Sequence, residues 1–360
     1  MDDPRRVWSN SPMDFRSDNT SGVLPEIMAA LSAANRGTAS SYGADSMTEI
    51  LTRRFSELFE RDVAVFPVAT GTAANVLALA ALTPPWGVIY CHEAAHIAVD
   101  ECAAPEFYTG GAQLARLPGS YGKIEPDVLA AHIAGAGVVH HAQPAAISLS
   151  QASEAGTVYT PEETAAIADV ARRHRLGVHV DGARFANAIA HLGCSPADLT
   201  WRAGVDALSF GATKNGALAA EAVIFFDPAR AGDLGYRRKR GGHLFSKMRF
   251  LSAQLEAYLA DDLWLGSARH ANAMAARLGA GLAAIPGIRL RYPVEANEVF
   301  AELPEVAIKE LVALGFLFHR WGETTIPCIR LVTSFATESI SVDGMIAAAR
   351  RVVEAQFAKR

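Results

Sequence analysis

Cysteine is scarce in this chain, and the few cysteines are far apart. The 360 residues contain four, and no two of them form a CxxC pair: Cys91, Cys102, Cys194 and Cys328. Such spacing predicts reduced thiols instead of a disulfide framework. Residues 1–12 contain charged side chains and no apolar stretch, so no secretory signal is predicted either. Together these absences predict a cytoplasmic protein.

Long apolar runs and a strong excess of charge are also absent. No segment approaches the roughly 20 apolar residues that are needed to span a bilayer. The formal net charge is −5, from 33 basic and 38 acidic residues. This mild acidity disfavours nucleic acid or an anionic membrane surface as the main partner. The basic run 237–240 is the local exception, and taken alone it is interpreted as a solvated turn.

Short β-rich segments alternate with alanine-rich helical segments over the first two thirds of the chain. Helices are predicted over 71–82 and 161–174, and the second begins with a capping pattern at Thr160, Pro161 and Glu163. Continuously apolar strands between helices are typical of a parallel sheet that is covered on both faces. The fold class is therefore predicted as α/β with a mostly parallel sheet. The predicted strands cover residues 63–68, 88–90, 138–149, 178–180, 207–210 and 222–226.

The sequence pattern changes after about residue 262. A chain of 360 residues is too long for one ordinary domain and suits two. We predict a large domain over residues 14–262 and a smaller α+β domain over residues 263–360. The elements predicted in the smaller domain are a long helix over 267–284, short strands over 288–292, 299–303 and 329–333, and a final helix from about residue 342.

Residues 65–75 run from a strand through a tight turn into a helix. Gly71 allows close backbone approach, and Thr72 supplies a hydroxyl. The first free amides of the helix and the positive end of its dipole suit a phosphate group. An ordinary capped strand-to-helix turn is the alternative interpretation. The segment is neither GxGxxG nor a Gly-Lys-Ser/Thr loop, which disfavours dinucleotides and nucleoside triphosphates.

An aspartate and a lysine each follow a predicted strand. Asp181 comes after strand 178–180 and Lys214 after strand 207–210, at the sheet edge where ligands bind. A carboxylate for the pyridine nitrogen and a lysine that forms a Schiff base are what pyridoxal phosphate (PLP) requires. A salt bridge with Lys214 or Arg184 is the alternative for Asp181. Together with the phosphate cradle, the pair favours PLP.

Residues 92–96 read HEAAH, a literal match to the helical zinc motif HExxH. The motif directly follows a short buried segment, which leaves little room for a preceding helix, and no third ligand motif is apparent. No metal site is therefore predicted. His96 is interpreted instead as a ring that stacks on the cofactor and accepts protons near a substrate hydroxyl; a buried structural histidine is the alternative.

With these residues placed, the chain resembles the threonine aldolase family of fold-type-I PLP enzymes, in particular its bacterial low-specificity and phenylserine-cleaving branch. The resemblance implies cleavage of β-hydroxy-α-amino acids such as L-threonine, L-allo-threonine or phenylserine to glycine and an aldehyde. An aminotransferase or a β-eliminating lyase with the same cofactor is the alternative. The segments that carry the resemblance are 15–19, 41–43, 70–75, 95–96, 100–101, 181–184 and 213–216.

The resemblance also implies individual roles and an assembly. It implies a homotetramer, a dimer of dimers, in which part of segment 237–249 reaches a neighbouring subunit's phosphate. The catalytic residues would be Lys214, His96 and Asp181. The implied roles are Lys214 as the Schiff base, Asp181 at the ring nitrogen, His96 on the ring, Gly71 and Thr72 at the phosphate, Arg184 near the cofactor's polar edge, and Ser17 and Arg330 at the substrate carboxylate.

The loop 151–157 departs from the family pattern. Many family members have a second active-site histidine there, whereas this chain has Glu154 at about that position. The base that removes the substrate's hydroxyl proton is therefore open among His96, Glu154 and an ordered water.

Overall fold

The computed structural model describes residues 13–322 and 326–357. The charged segment 1–12 lies outside the described residues, as do 323–325 and 358–360 of the predicted smaller domain. A seven-stranded sheet has the order β1-β7-β6-β5-β4-β2-β3. Only β7 runs antiparallel to its neighbours within this sheet, which confirms a mostly parallel sheet. Its strands are Ala64–Val68 (β1), Gly87–His92 (β2), Gln113–Leu117 (β3), Gln143–Ser150 (β4), Gly177–Gly182 (β5), Ala207–Gly211 (β6) and Glu221–Phe225 (β7).

Alternate residues of the central strands point into different hydrophobic cores. Ile147 and Leu208 belong to one core, whereas their neighbours Ala146 and Ala207 pack in separate clusters with residues of the helix Gly71–Leu82. Both faces of the sheet are therefore covered, which explains why its strands are apolar throughout. Helices outside the C-terminal region are Pro25–Ala34 (α1), Ser46–Leu58 (α2), Gly71–Leu82 (α3), His96–Val99 (α4), Ala104–Thr109 (α5), Pro126–His132 (α6), Pro161–Arg173 (α7), Phe185–Leu192 (α8), Leu234–Arg240 (α9) and Arg249–Leu259 (α10).

A second, four-stranded antiparallel sheet has the order β10-β11-β9-β8. The start of the described chain joins this part of the molecule, because Asp14 bridges Leu317 and Phe15 lies in the second core. The boundary between residues 262 and 263 stays a prediction. The elements here are Leu263–Ala283 (α11), Arg289–Leu290 (β8), Glu298–Glu302 (β9), Glu305–Ala313 (α12), His319–Arg320 (β10), Cys328–Val332 (β11) and Ser339–Phe357 (α13).

The structure corrects several sequence predictions. Strand β3 was not predicted, and β4 begins at Gln143, five residues later than residue 138. The final helix begins at Ser339 instead of about residue 342. The basic run 237–240 is the last turn of α9 and not a turn between elements. Across the described ranges, no helix is both long enough and apolar enough to cross a membrane.

Candidate active site

A cavity of about 250 Å³ opens at the edge of the large sheet where the parallel strands end. Asp181 is near the end of β5, and Lys214 follows β6 in a short 3₁₀ turn. Both line this one cavity, as the sequence predicts. The full lining consists of Asn19, Ala69, Thr70, Gly71, Thr72, Asn75, His96, Glu101, Glu154, Asp181, Ala183, Thr213, Lys214 and Glu221.

The first turn of α3 forms one wall of the cavity. Thr70 is the N-cap residue, and its hydroxyl accepts a hydrogen bond from the amide of Ala73 at 3.1 Å. The amides of Gly71 and Thr72 precede it in the first turn, where an α-helix offers them no internal partner. A Cβ at Gly71 would meet no protein atom within 4 Å. This turn therefore presents open space, free donors and the positive end of the helix dipole.

Asp181 is held by two hydrogen bonds. One oxygen accepts from the side-chain amide of Asn75 at 2.8 Å, and the other accepts from the backbone of Ala183 at 3.0 Å. Asn75 also donates to Glu101 at 2.8 Å, so one amide group bridges two buried carboxylates. Roles for Asn75 and Glu101 were not predicted. The available signal was a single amide side chain in an otherwise apolar helix, because buried polar groups require partners.

His96 lies at the start of α4 and borders the cavity. Its Nδ1 is 2.8 Å from Glu101, and this hydrogen bond raises the pKa of His96. The other ring nitrogen, Nε2, makes no hydrogen bond with a described residue. His92 is the last residue of β2 and contacts the carbonyl of Gly119. The two histidines do not share a helix, so the geometry of a helical HExxH zinc site is absent from residues 92–96.

Lys214 makes no hydrogen bond or ion pair with any residue in the described parts of the chain. Its turn lies close to the Asp181 loop, because a Cβ on Gly211 would be only 2.6 Å from the carbonyl oxygen of Ala183. Glu221, the first residue of β7, accepts from the amide of Ala212 at 3.0 Å. Burial raises the pKa of Glu221 to about 7. Sequence patterns did not identify this acid. Glu221 is at the cavity edge because β7 runs antiparallel to its neighbours, so that the start of β7 lies beside the ends of the parallel strands.

Arg184 does not line the cavity. Its guanidinium makes two hydrogen bonds to Asp18, at 2.8 and 3.1 Å, and is 3.5 Å from Glu298. Burial alone lowers the pKa of Arg184, but the carboxylates of Asp18 and Glu298 outweigh burial and raise it. The structure thus shows Arg184 in a buried ion pair, and its role at the cofactor's polar edge stays a prediction.

Ser17 and Arg330 lie close to each other, beside the cavity lining. Nη2 of Arg330 is 3.5 Å from the carbonyl oxygen of Arg16, the residue before Ser17. The hydroxyl of Ser17 accepts from the amide of Asn19, which itself lines the cavity. Arg330 is also 3.9 Å from Glu298. The structure places Arg330 against the residue before Ser17, neither of the two predicted carboxylate ligands lines the cavity, and their function stays a prediction.

His179 is fully buried on β5, two residues before Asp181. Its ring nitrogens are 2.9 Å from the hydroxyls of Ser148 and Ser209, on the two neighbouring strands. Burial lowers the pKa of His179 to about 4. This histidine, for which the sequence offered no partner, is therefore a neutral link between strands behind the site.

Comparison with known proteins identifies the family. The family model for β-eliminating lyases matches residues 14–305. A low-specificity L-threonine aldolase of Pseudomonas aeruginosa is 47% identical over 85% of this chain and 88% of its own length. A second, from a Pseudomonas species, is 42% identical over 96% of this chain and all of its own length.

A solved structure supports the same assignment. A threonine aldolase of Leishmania major superposes with a TM-score of 0.89 at 30% identity, over 95% of this chain and 100% of that one. The mostly parallel sheet with a smaller C-terminal sheet is the architecture of fold-type-I PLP enzymes. On its sequence and its fold, the chain belongs to the threonine aldolase family, within the β-eliminating lyases.

Proposed function

We propose that this protein is a PLP-dependent aldolase that cleaves β-hydroxy-α-amino acids, such as L-threonine, L-allo-threonine or phenylserine, to glycine and an aldehyde. One observation carries the proposal: Lys214 and Asp181 line a single cavity beside the open first turn of α3. The identity with the Pseudomonas enzymes supports aldol cleavage among the reactions that this cofactor permits.

The residues around the cavity fit PLP. The open space at Gly71 and the free amides of the first turn suit a phosphate dianion. Asp181 is buried and its carboxylate is held by two hydrogen bonds, so it suits a protonated pyridine nitrogen. Lys214 has no other hydrogen-bond partner among the described residues, so its amine is available to the cofactor aldehyde. When bound, PLP supplies an electron sink for the pair of electrons from a cleaved bond at Cα.

The side chains of the chain have distinct roles in this proposal. Asp181, oriented by Asn75, holds a proton on the ring nitrogen. His96, anchored by Glu101, would contact the ring face and exclude water there. Arg330 and Ser17 hold the substrate carboxylate, since a guanidinium fork suits a carboxylate. Holding the carboxylate would fix the orientation of the bonds at Cα of the substrate.

A β-eliminating lyase is the second candidate, because the matching family model has that description. The same Asp181 and Lys214 serve elimination and transamination as well as aldol cleavage. Products distinguish these reactions. Glycine with acetaldehyde from L-threonine indicates aldol cleavage, a 2-keto acid with ammonia indicates elimination, and exchange of the amino group with an added keto acid indicates transamination.

Lys214→Ala tests the proposal. We expect the visible and near-ultraviolet absorbance of lysine-bound cofactor and nearly all glycine formation to disappear. Lys309→Ala is the matched control, since Lys309 is an exposed lysine on α12, and both readouts should be unchanged. Full cleavage activity in Lys214→Ala would contradict the proposal.

We also propose that the protein acts as a homo-oligomer, a dimer of dimers, in the cytoplasm. The four free cysteines fit a reducing compartment. Phe107 and Tyr236 are 80% and 81% exposed and lie next to the basic last turn of α9, Arg237–Arg240. Exposed aromatic side chains of this kind suit burial against another subunit. Sedimentation analysis of the purified protein tests the assembly, and a monomer at micromolar concentration would contradict it.

A further inference from the structure

Four carboxylate side chains line the cavity, and three of them have hydrogen-bond partners. Asp181 and Glu101 share the amide of Asn75, and Glu221 accepts from the amide of Ala212. Glu154 makes no hydrogen bond or ion pair with any residue of the described chain. Its carboxylate borders the cavity with free acceptor oxygens, so it is available to a group that enters.

The loop that carries Glu154 is held firmly by its other residues. The hydroxyls of Ser153 and Thr157 are 2.7 Å apart, and both donate to the carbonyl of Tyr121, at 3.1 and 2.6 Å. Gly156 has a positive φ of 72°, and a Cβ there would be 3.1 Å from the Cβ of Glu298. The loop therefore lies directly on β9. These contacts fix the position of Glu154 without using its carboxylate.

Burial and neighbouring carboxylates make Glu154 a stronger base than an ordinary glutamate. Burial and the carboxylate of Glu298 raise the pKa of Glu154, and Asp181 adds to this. Lys214 and Arg184 oppose the shift without cancelling it. A base whose pKa lies closer to the working pH transfers protons more effectively.

His96 is less suited to accept a proton. Its hydrogen bond to Glu101 raises its pKa, helped by the charges of Asp181 and Glu154. The raised pKa favours the imidazolium, which has no free lone pair. An anchored imidazolium suits contact with the cofactor ring and not proton removal.

We propose that Glu154 is the catalytic base that removes the proton from the substrate's β-hydroxyl. This inference rests on the proposed aldolase function. The O–H bond breaks and the proton moves to a carboxylate oxygen of Glu154. As the C–O bond becomes a carbonyl, the Cα–Cβ bond breaks, and bound PLP would supply the sink for its electron pair. Glu154 then releases its proton to solvent and Cα takes up one proton, so glycine and the aldehyde form without a further reactant.

Glu154→Gln tests this role, because the amide keeps the size of the side chain and cannot take the proton. We expect kcat for L-threonine cleavage to fall by about 10²- to 10⁴-fold, with the cofactor absorbance retained. Exchange of the α-hydrogens of glycine for deuterium needs the cofactor but no hydroxyl, and it should fall much less. Equal losses in both reactions would overturn the proposal, as would unchanged cleavage.

The pH profile gives an independent readout. Wild-type kcat should fall as the pH drops through the pKa of Glu154, and Glu154→Gln should lack this acidic limb. Glu154→Asp keeps a carboxylate at shorter reach, so it should keep the limb and show a smaller loss than Glu154→Gln. An acidic limb that is the same in wild type and Glu154→Gln would overturn the proposal. Absence of that limb in Glu154→Asp, which keeps a carboxylate, would do so even if Glu154→Gln does not fold.

Two comparisons separate this inference from the proposed function. Glu162→Gln makes the same change on an exposed glutamate of α7 and should behave as wild type. Wild-type protein that forms no glycine and aldehyde contradicts the aldolase function itself. If Glu154→Gln cleaves the substrate at the wild-type rate, only the role of Glu154 is contradicted.

Discussion

Asn75 connects the two acids on which the site depends. Its amide nitrogen donates to Asp181 and to Glu101, and all three side chains are buried. Glu101 in turn holds His96. The residue proposed for the ring nitrogen and the residue proposed for the ring face are therefore linked through one amide. Without the Asn75 amide, the buried carboxylates of Asp181 and Glu101 would each lose a hydrogen-bond donor.

Asn75→Ala should consequently weaken cofactor binding as well as the fold. Loss of a hydrogen bond to a charged group costs about 1.5–3 kcal/mol, and we expect PLP affinity to fall about ten- to hundredfold. Titration of the protein without cofactor, followed by absorbance, measures this. Asn272→Ala is the control, since the side chain of Asn272 hydrogen-bonds Asn187, which does not line the cavity. It should lower the free energy of unfolding and leave PLP affinity unchanged; equal affinity losses would refute the link.

At the residue level, sequence patterns could place groups on sheet edges but not their partners. Asp181 and Lys214 were identifiable because each follows an apolar strand. The pairing of Arg184 with Asp18 spans 166 residues, and no local pattern encodes such a contact. The proximity of the free carboxylate of Glu154 to Glu298 likewise depends on loop 151–157 lying on β9.

Among the elements, α7 has the most clearly defined start. Thr160 accepts from the amide of Glu163 at 3.2 Å, and the Glu163 side chain accepts from the amide of Thr160 at 2.8 Å. This capping box was predicted from the sequence and is confirmed. It satisfies two amide groups that would otherwise lack partners at the helix end.

Thr160→Ala should lower the free energy of unfolding by about 1 kcal/mol, because it removes the cap of α7. Urea unfolding followed by circular dichroism measures the change, and cleavage activity should stay at the wild-type level. Thr52→Ala makes the same substitution inside α2, where the hydroxyl donates to the Thr48 carbonyl of the same helix and caps no helix end. If the two substitutions lower the free energy of unfolding equally, the N-cap hydrogen bond of Thr160 does not stabilise the fold more than a hydroxyl inside a helix does.

Elements with local signals were predicted well, and those without them were not. Helix α3 was predicted over its observed range because a capping threonine precedes a mostly apolar run. The predicted strand at 138–149 began too early because Val138 and Val139 are β-branched, yet Val139 is 95% exposed. The side-chain amide of Gln143 fills that turn by donating to the carbonyls of Gly135, Val138 and His141. Strand β3 was missed because it lies at the sheet edge and is only partly buried.

Across the whole molecule, Asp18 joins segments that are distant in sequence. It pairs with Arg184, which follows β5 of the large sheet, and accepts from Asn297 beside β9 of the small sheet. Burial alone raises the pKa of Asp18, but the charges of Arg184 and Lys214 outweigh burial and lower it. The charged form of Asp18 therefore stabilises the arrangement of both sheets around the cavity.

Asp18→Asn should destabilise the fold strongly at neutral pH, because it leaves Arg184 buried beside a neutral partner. Removing one member of a buried pair costs about 3–5 kcal/mol. The matched control is Asp343→Asn, since Asp343 pairs with Arg277 through two 2.7 Å hydrogen bonds that are half exposed. An exposed pair contributes about 0–1 kcal/mol, so the control should unfold almost as wild type does.

The pH dependence of the loss separates charge from packing. A carboxylate with a lowered pKa stabilises the fold fully above its unfolded value of 3.8, and this contribution disappears as the pH falls through the lower folded value. The difference in unfolding free energy between wild type and Asp18→Asn should therefore be constant near neutral pH and shrink in acid below 3.8. Urea unfolding of both proteins at several pH values measures it. A difference that does not change with pH would show that Asp18 acts through shape alone, and the charge would then have no part in joining the two sheets.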